Sequence, residues 1–130
     1  MYGVGKTEYF DSGKESVVIR KYLNGITGGV ILDTTEFAED FVQCGHVIIR
    51  DTTTGEYKPM PVSDGNYSAL PANCEYVGFN MTTASKDTPH VGVITAGEVN
   101  DKALPYSIDT IKDAIKKAVP TIQFGHDVIN

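Results

Sequence analysis

Val91-Gly-Val-Ile-Thr-Ala-Gly-Glu-Val-Asn-Asp-Lys-Ala-Leu104, followed by Pro105-Tyr-Ser-Ile-Asp-Thr-Ile-Lys-Asp-Ala-Ile-Lys-Lys-Ala-Val-Pro120 and Thr121-Ile-Gln-Phe124, decides the class of this chain. Val91, Val93 and Ile94 make a strand whose end at Ala96-Gly97 invites a tight turn or a bulge, and a second short strand follows. Ser107 stands where an N-cap belongs, with Pro105 just ahead of it. Ile108, Ile111, Ile115 and Ala118 then recur at spacings of three and four, and Pro120 stops the run. The pattern predicts one helix over about 107–119, packed on a sheet by its isoleucine stripe. Asp109 near its start and Lys116 and Lys117 near its end complement the helix dipole. Residues 122–124 close the stretch as a β segment. Nothing in this third of the chain is suited to covalent chemistry, so it reads as a building block rather than an enzyme.

Upstream, short β-rich runs alternate with turn residues. Val77, Phe79 and Met81 share one side of the run 75–81, and Tyr76, Gly78 and Asn80 the other, which predicts a buried face made by the first three. Residues 45–50 read as a strand and Asp51-Thr-Thr-Thr-Gly55 as its turn, with residues 56–60 returning antiparallel. Pro59 and Pro61 confine that return strand to an edge or to its last residues. Val30-Ile-Leu32 begins the body after Gly28-Gly29, and Ser63–Pro71 reads as a polar loop. Strands separated by turn signals every eight to twelve residues or so spell a mainly β domain with one α-helix, an α+β architecture.

Ahead of the body, residues 1–27 read as an N-terminal arm with a first strand, and residues 28–130 as the β-rich domain. Met1 to about Glu15 carries glycines, scattered charge and the isolated aromatics Tyr2, Tyr9 and Phe10. In the run 16–23, Val17, Ile19 and Leu23 share one strand face before Asn24-Gly25 offers a turn. That strand belongs either to the arm or to the body.

With 130 residues and 41% hydrophobic content the chain is one domain, able to bury roughly two thirds of its unfolded surface without a disulfide or metal. The formal charge is -6, from 17 acidic against 11 basic residues, with no basic cluster beyond Lys116-Lys117. Nucleic-acid binders draw affinity from phosphate neutralisation, so DNA and RNA are not expected as partners. No window approaches the roughly eighteen apolar residues of a membrane span, and Met1–Lys6 lacks the apolar core of a signal peptide, so no membrane is expected and synthesis in a cytoplasm is. Cys44 and Cys74 fit no metal or redox spacing and read as free, partly buried thiols.

Candidate chemistry is sparse. Gly5-Lys6-Thr7 resembles the end of a phosphate-binding loop, but only four residues precede Gly5, too few for the pattern's first glycine and its strand. Cys44 and His46 would face one side of a strand, yet a metal site needs three or four ligands, and His90 and His126 are isolated. Glu98 and Asp101 flank a turn and could form an acid–base pair, but no cationic or oxyanion-stabilising third group is evident. No catalytic residue, cofactor or metal is expected.

In the order of its elements the chain resembles the lambda-type head decoration proteins of tailed bacteriophages. The likeness lies in the hairpin Gly45–Met60 with Thr54-Gly-Glu-Tyr-Lys-Pro59, in Tyr76-Val-Gly-Phe79, in the strand ending Gly97-Glu-Val-Asn100 with Ala103-Leu104, and in the single helix and terminal Ile122-Gln-Phe124. It covers about Gly28 to His126. The resemblance implies a small β-clip-like body that assembles as a homotrimer on the outer surface of an expanded capsid. A flexible N-terminal arm would pair with strands of the major capsid protein, and this chain departs in carrying a longer segment ahead of the body. An arm that folds on contact places Tyr2, Tyr9, Phe10, Val17 and Ile19 as capsid-binding anchors, since large apolar groups carry interface energy. The rival readings are a trimeric fibre-base or tail-associated adaptor, and a small β-clip enzyme using Glu98 or Asp101.

Overall fold

The computed structural model describes residues 15–125, with side chains from residue 17 on. In chain order the elements are α1 (Glu15–Val18), β1 (Ile19–Gly25), β2 (Val30–Ile31), β3 (Phe41–Val42), β4 (Val47–Asp51), β5 (Tyr57–Pro59), β6 (Val62–Ser63) and β7 (Asn66–Tyr67). There follow β8 (Cys74–Asn80), β9 (Ala84–Ser85), β10 (His90–Val91), β11 (Val93–Val99), α2 (Lys112–Ala118) and β12 (Ile122–Phe124). The architecture is mainly β, as the turn spacing predicts, with α2 and the single turn α1 as its helices.

A six-stranded sheet in the order β1-β11-β8-β4-β5 forms the centre, and β12 runs parallel beside β11. Its other pairings are antiparallel. Successive residues of a strand face opposite sides, and on β4 Val47 and Ile49 enter one apolar cluster while Ile48 enters another, so both faces are covered. Val18, Ile108, Ile115 and Val119 close the first face together with Phe79 and Ile94. Leu32, Phe37, Val42 and Val91 close the second, carried there by the two-stranded pairs β2–β10 and β3–β9.

The face expected on β8 is split by a bulge. Ile48 pairs with Gly78 but Ile49 pairs with Tyr76, leaving Val77 as an extra residue. Tyr76, Phe79 and Met81 therefore pack on the helix side and Val77 on the other. Asn80, expected opposite Phe79 and Met81, is buried, with its amide donating to the carbonyls of Val42 and Gln43, both at 3.0 Å, and its Oδ1 accepting from the Thr82 N–H at 3.1 Å. Both amide hydrogens and the amide oxygen thus have partners, which is what makes a buried amide tolerable.

The hairpin Gly45–Met60 forms as its sequence predicts. Asp51 accepts from the N–H groups of Thr53 and Thr54 at 2.8 and 3.2 Å, and Gly55, at φ 81°, donates to the Asp51 carbonyl at 2.7 Å. Those amide bonds also hold the Asp51 carboxyl below its ordinary range. Pro59 lies on β5, an edge strand, where its missing N–H costs no ladder bond.

Four expectations are corrected. Of the turn or bulge expected at Ala96-Gly97, the turn is absent, since Gly97 sits inside the continuous strand β11 at φ 144° with the Lys21 carbonyl occupying the space a Cβ would need, while the register with β1 is irregular there, as a bulge requires. Asn24-Gly25 stays in β1, and the turn comes at 26–29, where the Gly29 N–H donates to the Ile26 carbonyl at 3.0 Å. Val17 does not share a strand face with Ile19 and Leu23: it lies on the helical turn, 51% exposed, and Val18 is the residue in the core. The helix over 107–119 is regular only over Lys112–Ala118. Ser107 caps a local turn instead, its hydroxyl accepting from the Asp109 N–H at 3.2 Å, and the Ile111 N–H closes on the Ile108 carbonyl three residues back. Ile108 and Ile115 are buried as the stripe requires, but Val119 completes it and Ala118 is exposed.

At Gly78 a Cβ would collide with the Ile94 backbone carbonyl of β11. Backbone cannot swing aside as a side chain can. Gly78→Ala is expected to cost about 3 kcal/mol in urea unfolding, against less than about 0.5 kcal/mol for Gly92→Ala, whose nearest neighbour is the Met81 sulfur in ordinary contact.

Candidate functional site

Of the five residues expected to anchor a partner, Tyr2, Tyr9 and Phe10 lie outside the described residues. Ile19 pairs with Val99 and packs partly buried against the helix-side core, so of the two places open to this strand, arm or body, β1 takes the body. Val17 remains open to a partner. Beyond it, Tyr22 and Leu23 are 52% and 63% exposed on β1, an edge strand that pairs with β11 alone among the described residues. An edge of seven residues bearing two large exposed apolar side chains is a template for pairing with another chain.

Glu98 and Asp101 do not form a pair. The Glu98 carboxylate lies 3.5 Å from Arg20 Nε on the neighbouring strand, and Asp101, nearly buried, holds Lys112 Nζ at 2.6 Å. Lys112 also sits over the Phe124 ring, 5.4 Å from its centre, so this ion pair ties the start of α2 to the loop after β11 and to β12. Cys44 and His46 are turned to backbone partners: the thiol donates to the Met81 carbonyl at 3.2 Å, and the imidazole to the Met60 carbonyl at 2.8 Å. Both cysteines are free thiols, Cys44 buried and Cys74 partly so. His90 contacts the Gly28 carbonyl at 2.9 Å, and Gly5-Lys6-Thr7 and His126 fall outside the described residues. Among the described residues no group of three or more His, Cys, Asp or Glu could hold a metal ion, and no helix is long and apolar enough to cross a membrane.

His46 is the most unusual polar residue of the body. Its ring is walled edge-on by Phe37, Tyr67 and Tyr106, at centroid distances of 5.3, 5.3 and 5.7 Å. Since a carbonyl only accepts, Nε2 carries the proton, and the ring is the neutral Nε2–H tautomer. Burial pulls its pKa down to about 4, the Met60 bond opposing only in part. The Tyr67 hydroxyl accepts from the Val47 N–H at 3.0 Å, and burial raises that phenol above its ordinary range. Two short bonds thus fix the start of β4 to β5 and β7. Neither tyrosine's place beside this ring was legible in the sequence, because Tyr67 stands in a stretch of polar turn residues and Tyr106 follows a proline.

Two depressions adjoin along β5. One, of about 130 Å³, is lined on its apolar side by Phe37, Ile49, Pro59, Pro61 and Pro71. The other, more open and about 490 Å³, lies between β2 and residues 55–57. Asp33 lines both, and its N–H donates to the Tyr57 carbonyl at 2.8 Å on the saddle between them. No family model matches the chain, and neither a curated protein nor a solved structure matches it.

The buried imidazole makes stability pH-dependent. Its folded pKa, about 4, is below the ordinary 6.5, so between these values the unfolded chain takes up a proton that the folded one refuses. Stability is complete above pH 6.5 and falls on acidification toward pH 4, by about 3 kcal/mol at most for a shift of that size. Urea unfolding between pH 7 and 4.5 is expected to show this loss, and His46→Gln to flatten it. An unchanged slope in the variant would place the proton uptake elsewhere.

Proposed function

We propose that the chain is a non-enzymatic structural virion protein that decorates and stabilises the outer surface of an expanded phage capsid, bound as a homotrimer to the major capsid protein. The β-clip-like character of its body belongs to the same proposal. One observation carries it: the segment bearing Tyr2, Tyr9 and Phe10 leads directly through exposed Val17 into a sheet edge that displays Tyr22 and Leu23. The proposed partner-binding groups and an edge that is open among the described residues are therefore continuous in the chain. The order of sequence features shared with the lambda-type decoration proteins supports the same reading, as does the engagement of Glu98, Asp101, Cys44 and His46 in ion pairs or backbone hydrogen bonds.

Physically, extended segments add backbone hydrogen bonds along a host strand while large side chains find pockets, and ordering them costs entropy that weakens each contact. Three such segments on one trimer act through effective concentration, so modest individual affinities give durable attachment.

Deleting residues 1–14 leaves Val18 and β1 in place, so the body is expected to keep its circular dichroism spectrum and oligomeric state. Co-sedimentation with expanded, undecorated shells of its own phage should fall by roughly a hundredfold or more. Full-length protein should bind saturably in multiples of three and ignore unexpanded precursors. Undiminished binding by the truncated form sinks the arm assignment, and binding to tails or a fibre protein instead of shells sinks the decoration reading.

A further inference from the structure

We infer that the two depressions along β5 form one docking trough for an extended peptide segment of a partner protein, taking an apolar side chain flanked by lysine or arginine. The trough has an apolar end and an acidic course. The apolar end is lined by Phe37, Ile49, Pro59, Pro61 and Pro71, of which Phe37, Ile49 and Pro59 are buried and Pro61 and Pro71 are half-buried. A volume near 130 Å³ is of the size that holds a benzene-sized group, about 150 Å³. Prolines have no N–H to offer a strand, so this end receives a side chain rather than a backbone.

Charge selects the occupant. Asp33, Glu36 and Glu56 line the trough and Lys58 is the one cation that lines it among the described residues, while Glu39 and Asp40 extend the acidic loop beyond it. Asp33 is held ionised, since the Thr35 hydroxyl and N–H both donate to it at 2.8 and 3.1 Å and depress its carboxyl. A cation beside the apolar side chain would meet Asp33 and Glu36, and one further along would meet Glu56. In the open part Ile31 is 73% exposed, the most exposed large apolar side chain among the described residues, and gives the same segment an apolar contact. Potentials of opposite sign across such a surface set register and partner choice.

The inference does not depend on the decoration reading, and its test uses no capsid. A fluorescein-labelled peptide Gly-Ser-Arg-Leu-Lys-Leu-Arg-Gly-Ser is titrated with full-length protein, beside a counterpart carrying Glu at each basic position, with backbone amide shifts recorded by NMR. The basic peptide is expected to saturate with Kd of order 0.1 mM, to weaken as salt is raised, and to shift amides at 30–37 and 55–61. The acidic peptide should bind at least about tenfold more weakly. The double variant Glu36→Lys, Glu56→Lys changes exposed residues only and should keep its melting temperature while losing binding of the basic peptide about tenfold. Equal binding of the two peptides, shifts on another face, or no saturation by about 1 mM overturns the proposal. Self-association abolished by the double variant, without peptide binding, would assign the trough to a second copy and overturn it as well.

Discussion

Val93–Val99 divides its backbone hydrogen bonds among three segments far apart in the chain. On one edge it takes β1, and on the other it takes β8 at its start and β12, in parallel, at its end. The beginning, the middle and the end of the described chain therefore meet on one strand. That convergence requires backbones to approach where side chains would keep them apart, which is why Gly78 and Gly97 stand at the crossings with Ile94 and Lys21. Among the described residues β1 and β5 end the main path of that sheet, and the exposed apolar edge and the acidic depressions lie there.

Both faces of that sheet are apolar, so the few buried polar groups must be satisfied locally. Asn80 meets this by bonding three backbone groups of the segments 42–43 and 82, and the Thr83 hydroxyl accepts from the Cys44 N–H at 3.0 Å. His46 meets it with one bond and an aromatic cage. Together they pin β3 and the turn before β4 against the end of β8. Asn80, Thr83 and His46 thus act as cross-links between loops, and the burial of the imidazole is expected to make stability acid-sensitive.

The two edges differ in physics. The outer edge of β1 offers backbone and exposed apolar side chains, suited to a chain that adds as a strand. The trough along β5 offers prolines and carboxylates, suited to a side chain of defined size and charge. Separate surfaces of this kind let one small body contact two partner segments without competition between them.

Composition and patterning determined the class of this protein. Alternating short strands, the Asp51–Gly55 turn with its Asx geometry, the edge position of Pro59 and the isoleucine stripe of the helix are local properties, set by periodicity and turn chemistry within a few residues. What the tertiary structure alone decided concerns residues whose partners are distant. The bulge at Val77 follows from pairing with β4 and sends Phe79 to one core and Val77 to the other. Ser107 looks like a helix cap in sequence, yet it closes a turn that lets Ile108 reach the core before α2 begins. Ile19 joins the body because Val99 lies beside it, and the trough exists because Asp33 and Tyr57, far apart in sequence, are bonded. Short-range pattern specifies which way a side chain tends to face. Which strand it then lies against is settled by non-local backbone pairing, and that pairing has no signature within any single stretch of sequence.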